Sequence, residues 1–139
     1  MPQERRKYTI KALLEPKKKD LDNDIEWICK SLGFAGTRDK ENTAVEVFKV
    51  LLFAAKKREG LTSDEIAEKI GPTRGTIVHH INKYMRSGLV VKVNNKYELR
   101  MVTLKKTLEE IELDIERTIK NINPVAESID NQIGLKSHP

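Results

Sequence analysis

Residues 62–90 read TSDEIAEKIGPTRGTIVHHINKYMRSGLV. Thr62-Ser63-Asp64-Glu65 has the form of a capping box, with Thr62 covering a free helical N–H and Glu65 reaching back to Thr62. The helix it opens is short and turns Ile66, Ala67 and Ile70 inward, and Gly71 breaks it. After Pro72, Thr73 is placed to cap a second helix whose inner face is Ile77, Ile81 and Tyr84. The outer face of that helix carries Arg74, Thr76, His79, Asn82, Lys83 and Arg86, with no acid among them. Two short helices joined by a tight turn containing glycine, the second helix basic, make a helix-turn-helix arrangement.

Upstream, residues 43–59, TAVEVFKVLLFAAKKRE, are apolar on most of a helical circumference. A helix of that kind needs cover on nearly all sides. Lys56, Lys57 and Arg58 suit the negative end of its dipole, and Gly60 is expected to end it. Leu21, Ile25, Ile28 and Leu32 recur at helical spacing, and Gly33 follows as a left-handed stop. A loop is expected from Gly33 to Asn42. The first twenty residues read as a basic arm. Its low apolar content favours a tail without fixed structure, the rival reading being an extension that tracks phosphates. YTIKALLEP would form a short helix or strand only by docking.

Downstream, residues 89–101, LVVKVNNKYELRM, have the pattern of a hairpin. A two-residue loop at Asn94-Asn95 sets Val91 opposite Glu98. A three-residue loop, Asn94-Asn95-Lys96, pairs Val93 with Tyr97, Val91 with Leu99 and Leu89 with Met101. The second register gathers every large apolar residue except Val90 on one face, and is preferred on that ground. A helix is then expected from Thr103 to Ile122. In it Leu104, Leu108, Ile111, Ile115, Thr118 and Ile122 alternate steps of four and three, the spacing of a coiled-coil seam. Asn123-Pro124 is expected to cap and start a further short helix running to Gln132, closed by Gly134, with a frayed end from Leu135.

The order of these elements is that of a winged helix: a mainly α fold with a small β-hairpin wing and a long C-terminal helix. Residues 66–90 also resemble the helix-turn-helix of the ArsR family of bacterial and archaeal repressors. The likeness rests on Thr76-Ile77-Val78-His79-His80-Ile81, then Tyr84, then Gly88-Leu89-Val90. The resemblance implies a dimeric transcriptional regulator that binds double-stranded DNA. It does not imply the metal sensing of some members. Cys29 is the one cysteine, and none of His79, His80 and His138 lies on residues 103–122. No metal site and no cofactor are expected. His79 and His80, adjacent on a helix, point about 100° apart, which does not suit one metal ion.

Charge distribution agrees with a polyanion partner. The net charge of +5 is already present in residues 1–19, so the remainder is balanced. Within that remainder, residues 73–100 hold six basic side chains against Glu98 alone, whereas Glu109, Glu110, Glu112, Asp114 and Glu116 cluster just beyond. One segment is suited to meet polyanion and the next to avoid it.

The expected organisation is an arm (1–20), an added amphipathic helix and loop (21–36), the winged helix-turn-helix (37–102), and C-terminal dimerisation helices with a tail (103–139). DNA contacts are expected from Thr73, Arg74, Thr76, His79, Asn82, Lys83 and Arg86 in the major groove. Asn94, Asn95 and Lys96 are expected at the backbone or minor groove. Leu104, Leu108, Ile111, Ile115 and Ile122 are the expected dimer seam. No nucleophile motif, metalloprotease motif or glycine-rich phosphate loop is present, and an enzyme is not expected. No apolar run reaches the ~20 residues of a membrane span, and with a single cysteine the cytoplasm is the expected compartment. The alternatives are a winged-helix adaptor in a transcription or translation assembly, and an architectural nucleic-acid-binding protein.

Overall fold

A computed structural model describes residues 5–35 and 42–136 of the chain. The expected loop at 33–42 therefore lies mostly outside the described residues, as do His138 and the last of the tail. The order is α1 (Leu21–Ser31), α2 (Thr43–Lys56), α3 (Ser63–Ile70), α4 (Arg74–Ser87), β1 (Val90–Val93), β2 (Lys96–Leu99) and α5 (Leu104–Ile133). The molecule is mainly helical, with one small antiparallel hairpin and a long C-terminal helix. Among the described residues no helix is long and apolar enough to cross a membrane.

The expected caps at Thr62, Thr73 and Gly71 are present, and Thr103 and Gly88 also cap helices. Thr62 and Glu65 form the reciprocal capping box. Thr73 accepts from the Thr76 amide, and Thr103 from the Lys106 amide. Glycines with positive φ close α3 (Gly71, +94°), α4 (Gly88, +84°) and α5 (Gly134, +80°). Each conformation is one that a side chain disfavours. Helix α2 is the exception: it stops at Lys56, and Arg58 takes the left-handed turn at φ +55°. Gly60 has a different task from the one expected. It is buried, and a Cβ there would stand 2.8 Å from the Lys96 Cβ. That close approach lets Leu61 pair with Tyr97 through two backbone hydrogen bonds of 3.0 and 2.7 Å, laying a short third rung beside the hairpin.

The core lies among α1 to α4, the hairpin and the first half of α5. Phe48, Leu51, Ile66, Ile77, Ile81, Tyr84 and Leu89 are almost wholly buried in it. The Phe34 ring meets the Tyr84 ring edge-on at 4.5 Å, and the Tyr84 hydroxyl donates to the Ala44 carbonyl. Cys29 is a buried small apolar residue, as its helical position suggests. The cover over α2 is incomplete, because Phe53 remains half exposed.

Three expectations are overturned. The hairpin uses the two-residue loop, pairing Val93 with Lys96, Lys92 with Tyr97, Val91 with Glu98 and Val90 with Leu99. Asn94 and Asn95 both adopt positive φ (49° and 67°), the turn whose twist matches that of paired strands. Turn chemistry outweighed the count of apolar residues on a face. Val90, Tyr97 and Leu99 are buried, whereas Val93 and Met101 stay exposed.

The second correction is α5, which runs unbroken from Leu104 to Ile133 with Pro124 inside it. Proline removes one backbone bond from a helix interior. Here it sits among exposed residues, where water can take the freed carbonyl. The third correction is the arm, of which residues 5–20 are described: they form neither helix nor strand but are docked on the body. The Lys7 amide donates to the Arg86 carbonyl (3.0 Å), the Lys11 amide to the Ser31 carbonyl (2.7 Å), and the Trp27 indole to the Leu14 carbonyl (2.7 Å). Two helix C-termini thus gain donors for carbonyls that the helices themselves leave open. The Tyr8 side chain packs partly into the core.

Candidate nucleic-acid interface

Helix α4 is held by one face and leaves the other open. Ile77, Ile81 and Tyr84 anchor it in the core. Thr73, Arg74, Thr76, His79, Asn82, Lys83 and Arg86 are all exposed. Every side chain expected on the groove face is therefore exposed. At 100° per residue Thr76, His79, Asn82, Lys83 and Arg86 lie on the side away from Ile81, whereas Arg74 sits on the flank beside it. His80 is half-buried at its margin, and the two histidine rings stand 5.4 Å apart at 67° to one another. At the N-terminal end, the Thr73 and Thr76 hydroxyls are 3.0 Å apart and satisfy each other. Arg74 leans back towards α3, with its Nε donating to Ser63 Oγ at 3.3 Å and lying 3.7 Å from Asp64. Helix α4 itself contains no acidic residue.

The hairpin follows α4 directly. Gly88 reverses the chain, the Leu89 amide bonds back to the Tyr84 carbonyl, and β1 begins at Val90. Asn94 and Asn95 form the exposed tip. The Glu65 carboxyl is held below its usual value by hydrogen bonding with Thr62 first, and to a lesser degree by the charge of exposed Lys96 at the base of the turn. Lys92 lies 5.5 Å over the Tyr97 ring. These two lysines are thus partly engaged with the body, and the asparagines are the freer part of the tip.

No family model, curated protein or solved structure matches the chain. The functional reading rests on this geometry and on chemistry.

Sequence reasoning missed the ion cluster beneath the hairpin. Asp114 accepts from Arg100 at 2.5 Å, and Arg6 and Arg117 approach it to 3.6 and 3.3 Å. Glu110 lies 3.8 Å from Arg100. The Asp114 side chain is only 12% exposed and that of Arg100 19%, so solvent screens this pair less than a surface one. The Arg100 hydrogen bond, followed by the nearby positive charges, keeps the Asp114 carboxyl below the usual aspartate value against the opposing effect of burial. Arg100, counted among the cations facing a polyanion, instead ties the end of β2 to α5. The acidic cluster is partly structural, and the arm enters it through Arg6. A run such as RRKY gives no sign of this. The partners of Arg6 lie in a distant part of the sequence.

The expected dimer seam divides in two. Ile111 is buried in its own core, and Leu104, Leu108 and Ile115 pack against that core. Ile122 is 54% exposed. Among the described residues no group of three His, Cys, Asp or Glu side chains comes together to hold a metal.

Proposed function

We propose that the protein is a winged helix-turn-helix DNA-binding protein, working as a dimeric transcriptional regulator and by binding alone. Helix α4 enters the major groove, and the hairpin tip rests on the backbone or in the minor groove. The observation that carries this reading is the outer face of α4. It holds a continuous set of exposed donors, on a helix fixed by its opposite face and followed immediately by a hairpin.

The chemistry suits duplex recognition. Lys83 and Arg74 donate to guanine acceptors, Asn82 offers the paired donor and acceptor that adenine requires, and Thr73 and Thr76 at the helix N-terminus suit phosphate. Arg74 has to leave Asp64 to do so, an exchange between exposed partners at little cost. The test is titration of the protein's own upstream DNA against random duplex, single strand and RNA, at several salt concentrations. Preference for one duplex, lost on replacing Arg74, Asn82 and Lys83 together, supports the reading. Unchanged binding by that triple variant refutes it.

One observation favours the adaptor alternative. A groove of about 330 Å³ runs between the ends of α2 and β2, lined in part by Ala55, Leu99, Met101 and Val102. Met101 and Val102 are exposed there. A chain that binds no nucleic acid in the same titration would make this groove the functional surface.

A further inference from the structure

Helix α5 presents one apolar stripe along its whole length, and the stripe changes its circumstances half-way. At 100° per residue, Leu104, Leu108, Ile111, Ile115, Ile119, Ile122, Ala126, Ile129 and Ile133 fall within about a quarter of the circumference. The first four close on their own core. From Glu116 to Lys136 every residue is exposed, and Ile119, Ile122, Val125, Ile129 and Ile133 are between 49% and 66% exposed. Ile119 to Ile133 spans about 20 Å of helix.

This half gains no packing from the described body, yet it contains Pro124, which costs a helix about 3 kcal/mol relative to alanine. It is also rich in asparagine and isoleucine, which are modest helix formers. A helix of this length and composition is marginal alone in water. Tertiary cover has to supply the difference.

We propose that residues 119–133 pair with the same residues of a second copy of this chain, the two helices running parallel. The choice of occupant follows from spacing. Steps of three and four from Ile119 through Ile122, Ala126 and Ile129 to Ile133 form a seam narrow enough for one partner helix. The choice of direction follows from charge. The edge on one side of the seam carries Glu116, Asn123 and Asp130, and the edge on the other carries Thr118, Val125 and Gln132. Parallel helices set the acidic edge of each copy against the uncharged edge of the other. Antiparallel helices bring Glu116 beside Asp130 of the partner subunit, twice by symmetry, and like charges so placed are destabilising.

This rests on the dimeric part of the proposed function, places that dimer in a different half of α5 from the seam centred on Ile111, and is independent of DNA. The experiment therefore omits DNA. Sedimentation equilibrium of the full chain at micromolar concentration is expected to give twice the chain mass. Ile122→Glu with Ile129→Glu is expected to raise the dissociation constant at least a hundredfold, on the order expected for unpaired charge in a buried seam. Fluorescence of Trp27, the one tryptophan, is expected to stay unchanged, because both sites are exposed in the single chain.

Orientation is read from Ile133→Cys. Mild oxidation is expected to join two such chains in a reducible dimer. The wild type, whose Cys29 is buried, is expected not to cross-link. A wild-type monomer, a trimer or tetramer, or a double-glutamate variant that still pairs overturns the proposal. So does Ile133→Cys that stays unlinked while Ile119→Cys with Ile129→Cys in one chain cross-links, which is the antiparallel result. DNA titration of the same variants reports separately on the duplex reading.

Discussion

Helices α4 and α5 are both amphipathic, but α4 divides its faces around its circumference and α5 divides one face along its length. On α4 the core side is complete and the exposed side is polar, so nothing about the single chain calls for a partner. Its outer face is free to recognise something polar. On α5 the same stripe serves the core as far as Ile115 and then continues uncovered. Polar exposure offers recognition, whereas apolar exposure on a long helix marks an incomplete structure.

The largest expected effect tests the division of α5. Ile111→Glu places a charge in the core and is expected to unfold the domain, a loss above about 4 kcal/mol, measured by urea denaturation. Ile122→Glu is expected to leave the urea midpoint of the dilute, monomeric protein within experimental error. Equal losses at the two positions would erase the boundary between the halves. Next comes the inner face of α4, where Ile81→Ala is expected to cost about 2–5 kcal/mol of stability. On the outer face Asn82→Ala is expected to cost less than about 0.5 kcal/mol of stability. The same change should cost about 1–3 kcal/mol of specific duplex affinity by anisotropy titration. A variant with both properties intact would remove Asn82 from the interface.

Asp114 offers a smaller test of how α5 is fastened. Asp114→Asn is expected to cost about 1–3 kcal/mol at neutral pH, since Arg100 loses its ionic acceptor. Because the folded carboxyl lies below its unfolded value, its contribution is present above that value. It is lost as pH falls through the folded one. Urea midpoints of wild type and variant should therefore converge on acidification. A gap that is constant from neutral pH down to pH values below the aspartate range would show that the charge is not what matters. The smallest effect concerns the arm: replacing Lys17, Lys18 and Lys19 by alanine is expected to flatten the salt dependence of binding, whereas Tyr8→Ala lowers stability instead.

The local signals in the sequence carried well. Thr62, Thr73 and Gly71 mark helix ends through chemistry that acts within a few residues, and the structure has each in that role, whereas Gly134 closes the whole of α5 and not a separate short helix. All seven of the α4 side chains expected on the groove face are exposed. The hairpin failed because two local signals disagreed, and the Asn94-Asn95 turn decided the register over the apolar tally. Pro124 misled because its cost to a helix is finite and is not a prohibition. The docked arm was illegible for a different reason. Lys7 is held through its backbone amide, which every residue but proline possesses, and Arg6 through an acid far along the chain. No pattern within residues 1–20 encodes either partner.

That strap also sets an order of events at the ribosome. Arg6 and Tyr8 are made early, yet the Arg86 carbonyl and the Asp114 carboxylate that hold this segment are made about 80 to 110 residues later. At about 5–20 residues per second the delay is on the order of 10 s. Through that interval the segment has only its α1 contacts, from Lys11 to Ser31 and from Trp27 to Leu14, and its Arg6–Tyr8 end has no partner yet made. Residues 6–8 are thus made early and settle late. A nascent chain stalled before Asp114 would carry its recognition helix without the fastening behind it.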